Sequence, residues 1–391
     1  MRPPVTDWAT DFDILDPAWV DDPYAIWDQL RATCPVAHTE RYFGAYMPVR
    51  YADIRDIAYD TDHFSSQVVV LREKNPPDRG GGPPITSDPP HHRVARMALL
   101  PPFTPQAVAK LAPMTRAYCN ELIDAFCDTG QCDAALQFAR HIPVKVLAFM
   151  LGVPDRDGDL FRRWVHGIFQ AGITDDSAMH VAISEMTEYF RGHLEARRHC
   201  PGEDVISSLL AARHPDGRPF SDKHILASLR VLMLGGIDTT WSSIGSAIWH
   251  LATHAGDRQR LVLEPELLPL AVEEFLRAYA PVTMAREIVA DVTVGGCPYK
   301  KGQMVVMTFP AANRDPAAFA DADKVIIDRK DNKHIAFGIG IHRCIGAHLA
   351  RMELTVATEV FLNRIPEFRL NGSVSWSPGT VRGPSLLPIA F

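Results

Sequence analysis

A cysteine in a glycine-rich loop directly before a helix constrains this chain more than any other feature. The loop, residues 337–346, reads FGIGIHRCIG, and residues 345–363 carry apolar side chains at helical spacing. Cys344 therefore lies beside a helix N-terminus, where unpaired N–H groups and the helix dipole favour a thiolate. The loop glycines leave room for a large, flat group. The pattern predicts a thiolate that faces a planar cofactor, and the alternative is an ordinary buried thiol.

This decapeptide resembles the haem-binding loop of the cytochrome P450 family. The resemblance implies that Cys344 is the axial iron ligand of a haem b group (iron protoporphyrin IX) and that Phe337 packs against the thiolate side of that haem. It also implies that Gly338 and Gly346 belong to the cofactor-binding loop. A thiolate ligand favours cleavage of the O–O bond. The expected chemistry is therefore the activation of dioxygen.

The rest of the sequence favours a single domain, mainly α with small β sheets, and the resemblance implies that it is one cytochrome P450 domain over residues 1–391. A net charge of −7 gives no electrostatic case for binding nucleic acid. The N-terminus lacks an apolar signal core, no run of 18 apolar residues occurs, and the seven cysteines are scattered. We therefore expect a soluble, cytoplasmic monomer with no membrane partner. Helices are predicted at residues 23–33, 90–100, 105–128, 144–151, 159–171, 177–198, 204–212, 267–280 and 345–363.

Strand signals are few, and one stretch favours neither helix nor strand. The expected strands lie at residues 42–49, 287–294 and 304–309, with a terminal pair after residue 370. Residues 75–84 (NPPDRGGGPP) predict a loop.

The longest helical stretch, residues 221–254, predicts a helix of about 50 Å that crosses the molecule. The resemblance implies that this is the long central helix of the P450 fold, with the haem buried beside it. Near its middle, two glycines and two threonines predict a kink or widened turn. Such a turn could be only a tolerated helix defect. However, the segment resembles the family's oxygen-activation motif. That resemblance implies that Asp238 and Thr239 are catalytic and deliver protons during dioxygen activation.

Two further sets of residues resemble family motifs. Glu274 and Arg277 share a helix face, where a solvent-exposed pair is the ordinary interpretation. The family pattern instead implies a buried structural ion network completed by Arg329. A second pair, His92 and Arg96, also shares a face. The resemblance implies haem propionate ligands, which are His92, Arg96, Arg286 and His342.

In this architecture the substrate pocket lies on the far side of the haem from the cysteine. Its expected lining is mostly apolar, which favours an oxidisable organic molecule, although each residue could equally be plain core. The candidates are Val68, Val70, Leu71, Phe169, Ile173, Leu234, Gly235, Thr283, Met284 and Val381. Arg230 interrupts an apolar run nine residues before Thr239, so it either faces solvent or borders the pocket and favours a substrate acid.

The resemblance implies a haem-thiolate monooxygenase. It would insert one oxygen atom from O2 into a small to medium, largely apolar substrate by hydroxylation, epoxidation or O-dealkylation. Electrons would come from a separate acidic ferredoxin and its reductase, with Arg93 and Arg343 as a cationic docking patch. Two alternatives stay open. One is a peroxide-driven peroxygenase on the same fold, and the other is a haem-binding sensor or carrier without turnover.

Overall fold

α-Helices make up most of the regular structure. The computed structural model describes residues 3–71 and 82–391, so most of the loop predicted at residues 75–84 lies outside the described residues. The helices of the described part are α1 Pro17–Asp21, α2 Pro23–Thr33, α3 Tyr51–Tyr59, α4 His91–Leu99, α5 Pro105–Ala109, α6 Ala112–Asp124, α7 Ile142–Leu151, α8 Gly158–Phe169, α9 Asp176–His199, α10 Val205–Ala211, α11 Asp222–Thr253, α12 Ala255–Leu263, α13 Leu268–Ala278, α14 Phe309–Ala312 and α15 Ala347–Arg364.

The strands are short and form small sheets. They are β1 Val36–Thr39, β2 Ala45–Pro48, β3 Phe64–Ser65, β4 Gln131–Asp133, β5 Met284–Ile288, β6 Val292–Val294, β7 Cys297–Tyr299, β8 Met304–Met307, β9 Arg369–Leu370, β10 Ser375–Trp376, β11 Pro384–Leu386 and β12 Pro388–Ala390. The main sheet has the order β1-β2-β8-β5-β3, and β4-β12-β9 form a three-stranded sheet. Pairs β6-β7 and β10-β11 are separate hairpins. The prediction of a mainly α fold with small sheets is confirmed.

Helix α11 is the central element. The Ser221 side chain caps its N-terminus by accepting a hydrogen bond from the His224 backbone N–H at 3.3 Å. Apolar side chains lie on most sides of the helix, so it is buried among other helices. It contacts α7, α13 and α15 within the main hydrophobic core. No helix in the part of the chain described is both long enough and apolar enough to cross a membrane.

Several predicted boundaries differ from the structure for local reasons. The helix expected at residues 105–128 is divided into α5 and α6, because Pro113 is tolerated only in the first turn of a helix. The strand expected at residues 42–49 is shorter, since Tyr42 has φ +56° and lies in a 3-10 turn. The strand expected at 287–294 is two strands, β5 and β6. Helix α11 continues through Gly235 and Gly236 with α-helical hydrogen bonding, so the widened turn predicted there was wrong.

Candidate active site

The cysteine loop folds back on itself before α15. The Cys344 backbone N–H donates to the Phe337 carbonyl at 2.7 Å, and Gly346 caps α15. Gly340 has φ +76°, and a Cβ there would lie 2.9 Å from the Ala58 carbonyl oxygen, so the loop needs glycine at this position. Desolvation by the surrounding protein raises the pKa of the Cys344 thiol, which a hydrogen bond from the Gly346 backbone and nearby arginines partly oppose. The thiol nevertheless opens on an internal cavity.

This cavity lies beside α11 and has a volume of about 360 Å³. Most of the residues predicted for cofactor, oxygen or substrate binding line it. They are Val68, Val70, His92, Arg96, Phe169, Leu234, Gly235, Thr239, Thr283, Met284, Arg286, Phe337, Gly338, His342, Cys344, Gly346 and Val381. Arg230 also lines the cavity and donates to the Thr187 hydroxyl at 3.1 Å. The structure therefore brings together segments that are more than 200 residues apart in the chain.

Three of the predicted site residues do not line the cavity. Leu71 packs in the second core cluster with the first helices and the main sheet. Ile173 is buried beneath Gly379, where a Cβ would lie 2.8 Å from its Cδ1 atom. Asp238 is also buried and lies outside the lining, although its neighbour Thr239 lies within it. Chain proximity alone cannot distinguish a cavity wall from the layer behind it.

Four basic side chains converge on the cavity from three segments. His342 accepts from or donates to the Ser66 hydroxyl at 2.9 Å, and its ring lies 4.3 Å from that of His92. Burial and the positive charges of Arg286, His92 and Arg96 lower the pKa of His342 to about 3. Arg286 donates to the Ala285 carbonyl at 2.7 Å.

These basic residues fit the two propionates of a haem. Within residues 3–71 and 82–391, no carboxylate pairs with Arg96 or Arg286, and the buried His92 Nε2 atom has no hydrogen-bond partner. Desolvation lowers the pKa of both arginines, so two anions would stabilise them. The Cys344 thiol and two arginines without a carboxylate partner line the same cavity. A haem needs these groups, because the thiol can bind its iron and the arginines can pair with its propionates.

The oxygen-activation candidates differ in their surroundings. The Thr239 hydroxyl donates to the Gly235 carbonyl one turn earlier at 2.8 Å. Asp238 is 3% exposed, and burial raises the pKa of its carboxyl to about 7. A carboxyl with this pKa can both hold and release a proton near neutral pH. A Cβ at Gly235 would meet no heavy atom within 4 Å, so α11 is open to the cavity beside Thr239.

Glu274 lies at the centre of an ion network in which it and Arg277 are fully buried. It pairs with Arg277 through two hydrogen bonds of 2.8 Å and with Arg329 at 3.0 and 3.2 Å. The Ile326 backbone N–H and the Asn332 amide also donate to its carboxylate. The three residues predicted to form this network therefore do meet. Every lone pair of the carboxylate has a donor, as a buried charge requires.

Sequence reasoning missed a second network on the neighbouring carboxylate. Glu273 accepts two hydrogen bonds from Arg351, at 2.6 and 2.8 Å, and its other contact is the His334 Nε2 atom at 3.0 Å. These contacts outweigh the burial of Glu273 and lower its pKa to about 2. The Arg351 guanidinium lies 4.5 Å from the centre of the Phe337 ring. The only signal in the sequence was the pair of adjacent glutamates in α13.

Comparison with known proteins identifies the family. The family profile described as "Cytochrome P450" matches residues 159–264 and 256–370, which together make up more than half of the chain. The chain belongs to the cytochrome P450 family. Haem is the cofactor of this family.

Individual relatives of this P450 agree with that assignment. It is 34% identical over 376 residues to mycinamicin IV hydroxylase/epoxidase of Micromonospora griseorubida, covering 93% of this chain and 94% of the relative. It is 32% identical over 310 residues to steroid C26-monooxygenase of Mycolicibacterium smegmatis, covering 77% of each chain. The solved structure of CYP109Q5 from Chondromyces apiculatus superposes with a TM-score of 0.89 at 32% identity, covering 98% of both chains. The protein is accordingly a P450 monooxygenase that uses O2, an organic substrate and redox partners.

Proposed function

We propose that Cys344 would bind the iron of a haem b group and that His92, Arg96, Arg286 and His342 would hold its propionates. The proposal rests on one observation, which is that the Cys344 thiol and these four basic side chains line the same cavity. Phe337, Gly338 and Gly346 line the same end of the cavity and would pack beside the cofactor. Haem, when bound, supplies the iron centre at which dioxygen is activated.

Asp238 and Thr239 would supply protons from the part of the cavity wall that α11 forms. Thr239 lines the cavity, and its hydroxyl can exchange its bond to Gly235 for one to a water or to oxygen. Asp238 precedes it in α11 and has a pKa near 7. A carboxyl that is half protonated at neutral pH can return a proton to the Thr239 hydroxyl through a water molecule. The two side chains together would form a route from the protein interior to the cavity.

The substrate would be a small to medium, largely apolar organic molecule. The lining away from Cys344 is mainly aliphatic and aromatic, with a few hydroxyl groups and Arg230. Such a lining binds by shape and the burial of apolar surface, and its polar groups orient the ligand. Hydroxylation, epoxidation or O-dealkylation of such a molecule is the proposed reaction. An acidic group on the substrate would form an ion pair with the Arg230 guanidinium.

The proposed electron donor is an acidic ferredoxin with its reductase. Arg343 is adjacent to Cys344, and both Arg343 and Arg93 are exposed. Two exposed cations close to the cysteine loop complement an acidic partner and would accelerate encounter at low ionic strength. The rate of reduction by such a ferredoxin should therefore fall as salt is added, and a rate independent of salt would contradict this assignment. We also propose that the chain forms a single domain and that it operates in the cytoplasm.

The ligand assignment is tested by the reduced carbonyl complex. The wild type should give the red-shifted Soret band of thiolate ligation, and Cys344→Ser should lose it because a serine hydroxyl is a far weaker donor. Cys200→Ser is the matched control, since Cys200 is exposed and remote from the cavity lining. Retention of the band in Cys344→Ser would overturn the assignment. Product formation with NADPH and redox partners, compared with peroxide alone, separates the monooxygenase from a peroxygenase.

A further inference from the structure

A compact turn near the C-terminus, residues 377–383, carries part of the cavity wall. The Ser377 hydroxyl donates to the Val381 and Gly383 carbonyls, at 3.1 and 3.0 Å, and accepts from the Gly383 N–H at 3.1 Å. The Ser377 N–H also donates to the Gly383 carbonyl at 2.9 Å. These hydrogen bonds join the two ends of the turn, so we expect its residues to move together. Thr380 and Val381, within the turn, line the cavity.

The turn, named here the C-terminal turn, is in contact with the body of the protein on several sides. Its Thr380 carbonyl accepts from the Thr283 N–H at 2.9 Å, which joins it to the segment before β5. At its tip, a Cβ on Gly379 would lie 2.8 Å from the Ile173 side chain. At its base, a Cβ on Gly383 would lie 2.4 Å from the Ser242 Cβ on α11. The Arg382 backbone N–H also donates to the Pro281 carbonyl at 2.8 Å, so a short antiparallel bridge holds one edge of the turn. The contacts at Gly379 and Gly383 limit how far the turn can advance, but van der Waals contact there does not prevent it from pivoting away about this bridge.

Arg382 provides an attachment that can resist movement away. Its guanidinium donates to the Val20 carbonyl and, at 2.8 Å, to the Asp21 carbonyl at the end of α1. The same group lies 4.3 Å from the centre of the Trp376 ring. Burial lowers the pKa of Arg382, and nearby tyrosine and aspartate groups partly oppose this shift. The side chain thus ties the C-terminal turn to the N-terminal helices, although it does not line the cavity itself.

We propose that Arg382 is a positioning residue that fixes how far Thr380 and Val381 project into the substrate cavity. Without its side chain, the Val20 and Asp21 carbonyls lose their donors, and the turn is held by its backbone bridge to residues 281–283 and by its contacts with Ile173 and Ser242. The turn can then pivot about this bridge and widen the cavity beside Thr380 and Val381. The inference rests on the proposed function, because the width of this cavity matters only if a substrate binds there.

Nitrogenous ligands of the haem iron test this inference without knowledge of the substrate. Imidazole reports on access to the iron, whereas 4-phenylimidazole also places a phenyl ring against the cavity wall. Both dissociation constants are measured by Soret titration of the haem-loaded wild type, Arg382→Ala and Arg382→Lys. Arg369→Ala is the matched control, because it removes an exposed arginine on β9 that is remote from the turn. The reduced carbonyl band and far-UV circular dichroism show whether each variant is folded.

The expected result separates the two ligands. In Arg382→Ala, affinity for 4-phenylimidazole should fall by about threefold or more while that for imidazole changes by less than about twofold, since lost wall contacts weaken only the larger ligand. Arg382→Lys should lie between this variant and the wild type, and if Arg382→Ala does not fold, Arg382→Lys alone must show the selective loss. Unchanged affinities, or equal losses for both ligands, would overturn the proposal. A wild type that binds neither ligand would instead refute the proposed function.

Discussion

Replacing Glu274 by glutamine removes the charge at the centre of the first ion network and keeps the shape of the side chain. Arg277 is 0% exposed and would then be a buried cation without an anion. Breaking a buried pair in this way costs about 3–5 kcal/mol. Arg277 keeps hydrogen bonds to the Asn313, Ala322 and Lys324 carbonyls, so we expect a loss near the lower end, about 3 kcal/mol.

Urea unfolding followed by far-UV circular dichroism measures this loss. With a slope of about 3 kcal/mol per molar urea, the midpoint of Glu274→Gln should lie about 1 M below that of the wild type. The matched control is Glu359→Gln, which breaks the solvent-exposed pair with Arg116 and should cost at most about 1 kcal/mol. If both variants shift the midpoint equally, burial does not govern the strength of the network, and the reasoning fails.

Two further predictions concern α11. Because burial raises the pKa of Asp238 to about 7, the folded state retains a proton that the unfolded state releases. Wild-type stability should therefore fall between about pH 4 and pH 7, by at most about 1.4 kcal/mol per pH unit, relative to Asp238→Asn. Urea midpoints at several pH values check this, and parallel curves would contradict it. Gly383→Ala should cost about 1–3 kcal/mol, because its Cβ would lie 2.4 Å from the Ser242 Cβ. The Ser242 Cα, a backbone atom, would lie 2.6 Å from the same Cβ, so the side chain alone cannot relieve the clash. Thermal unfolding should detect this loss, whereas an unchanged midpoint would contradict it.

The sequence was sufficient for features that depend on local spacing. Helix α2 begins and ends at the predicted residues, and the Glu274–Arg277 pair follows from a three-residue separation on one helix face. The cysteine loop was recognisable because its glycines and Cys344 form one continuous segment.

Features that depend on long-range packing were not accessible in this way. Ile173 was predicted in the cavity wall but lies behind it, because the tip of the C-terminal turn is inserted over it. The partners of Arg382 lie more than 360 residues away and are backbone carbonyls, which no side-chain pattern reveals. Glu273 was overlooked because its partner Arg351 comes from a helix 78 residues further along the chain.

The use of backbone carbonyls by Arg382 has a consequence for mutational tolerance. Every residue type carries the same carbonyl group, so substitutions at Val20 and Asp21 that preserve the path of the backbone leave both acceptors in place. An insertion or deletion in α1 would move both acceptors at once. The first helix should therefore accept many changes of sequence and few changes of length, and a library that varies its length would alter substrate preference from a position outside the cavity.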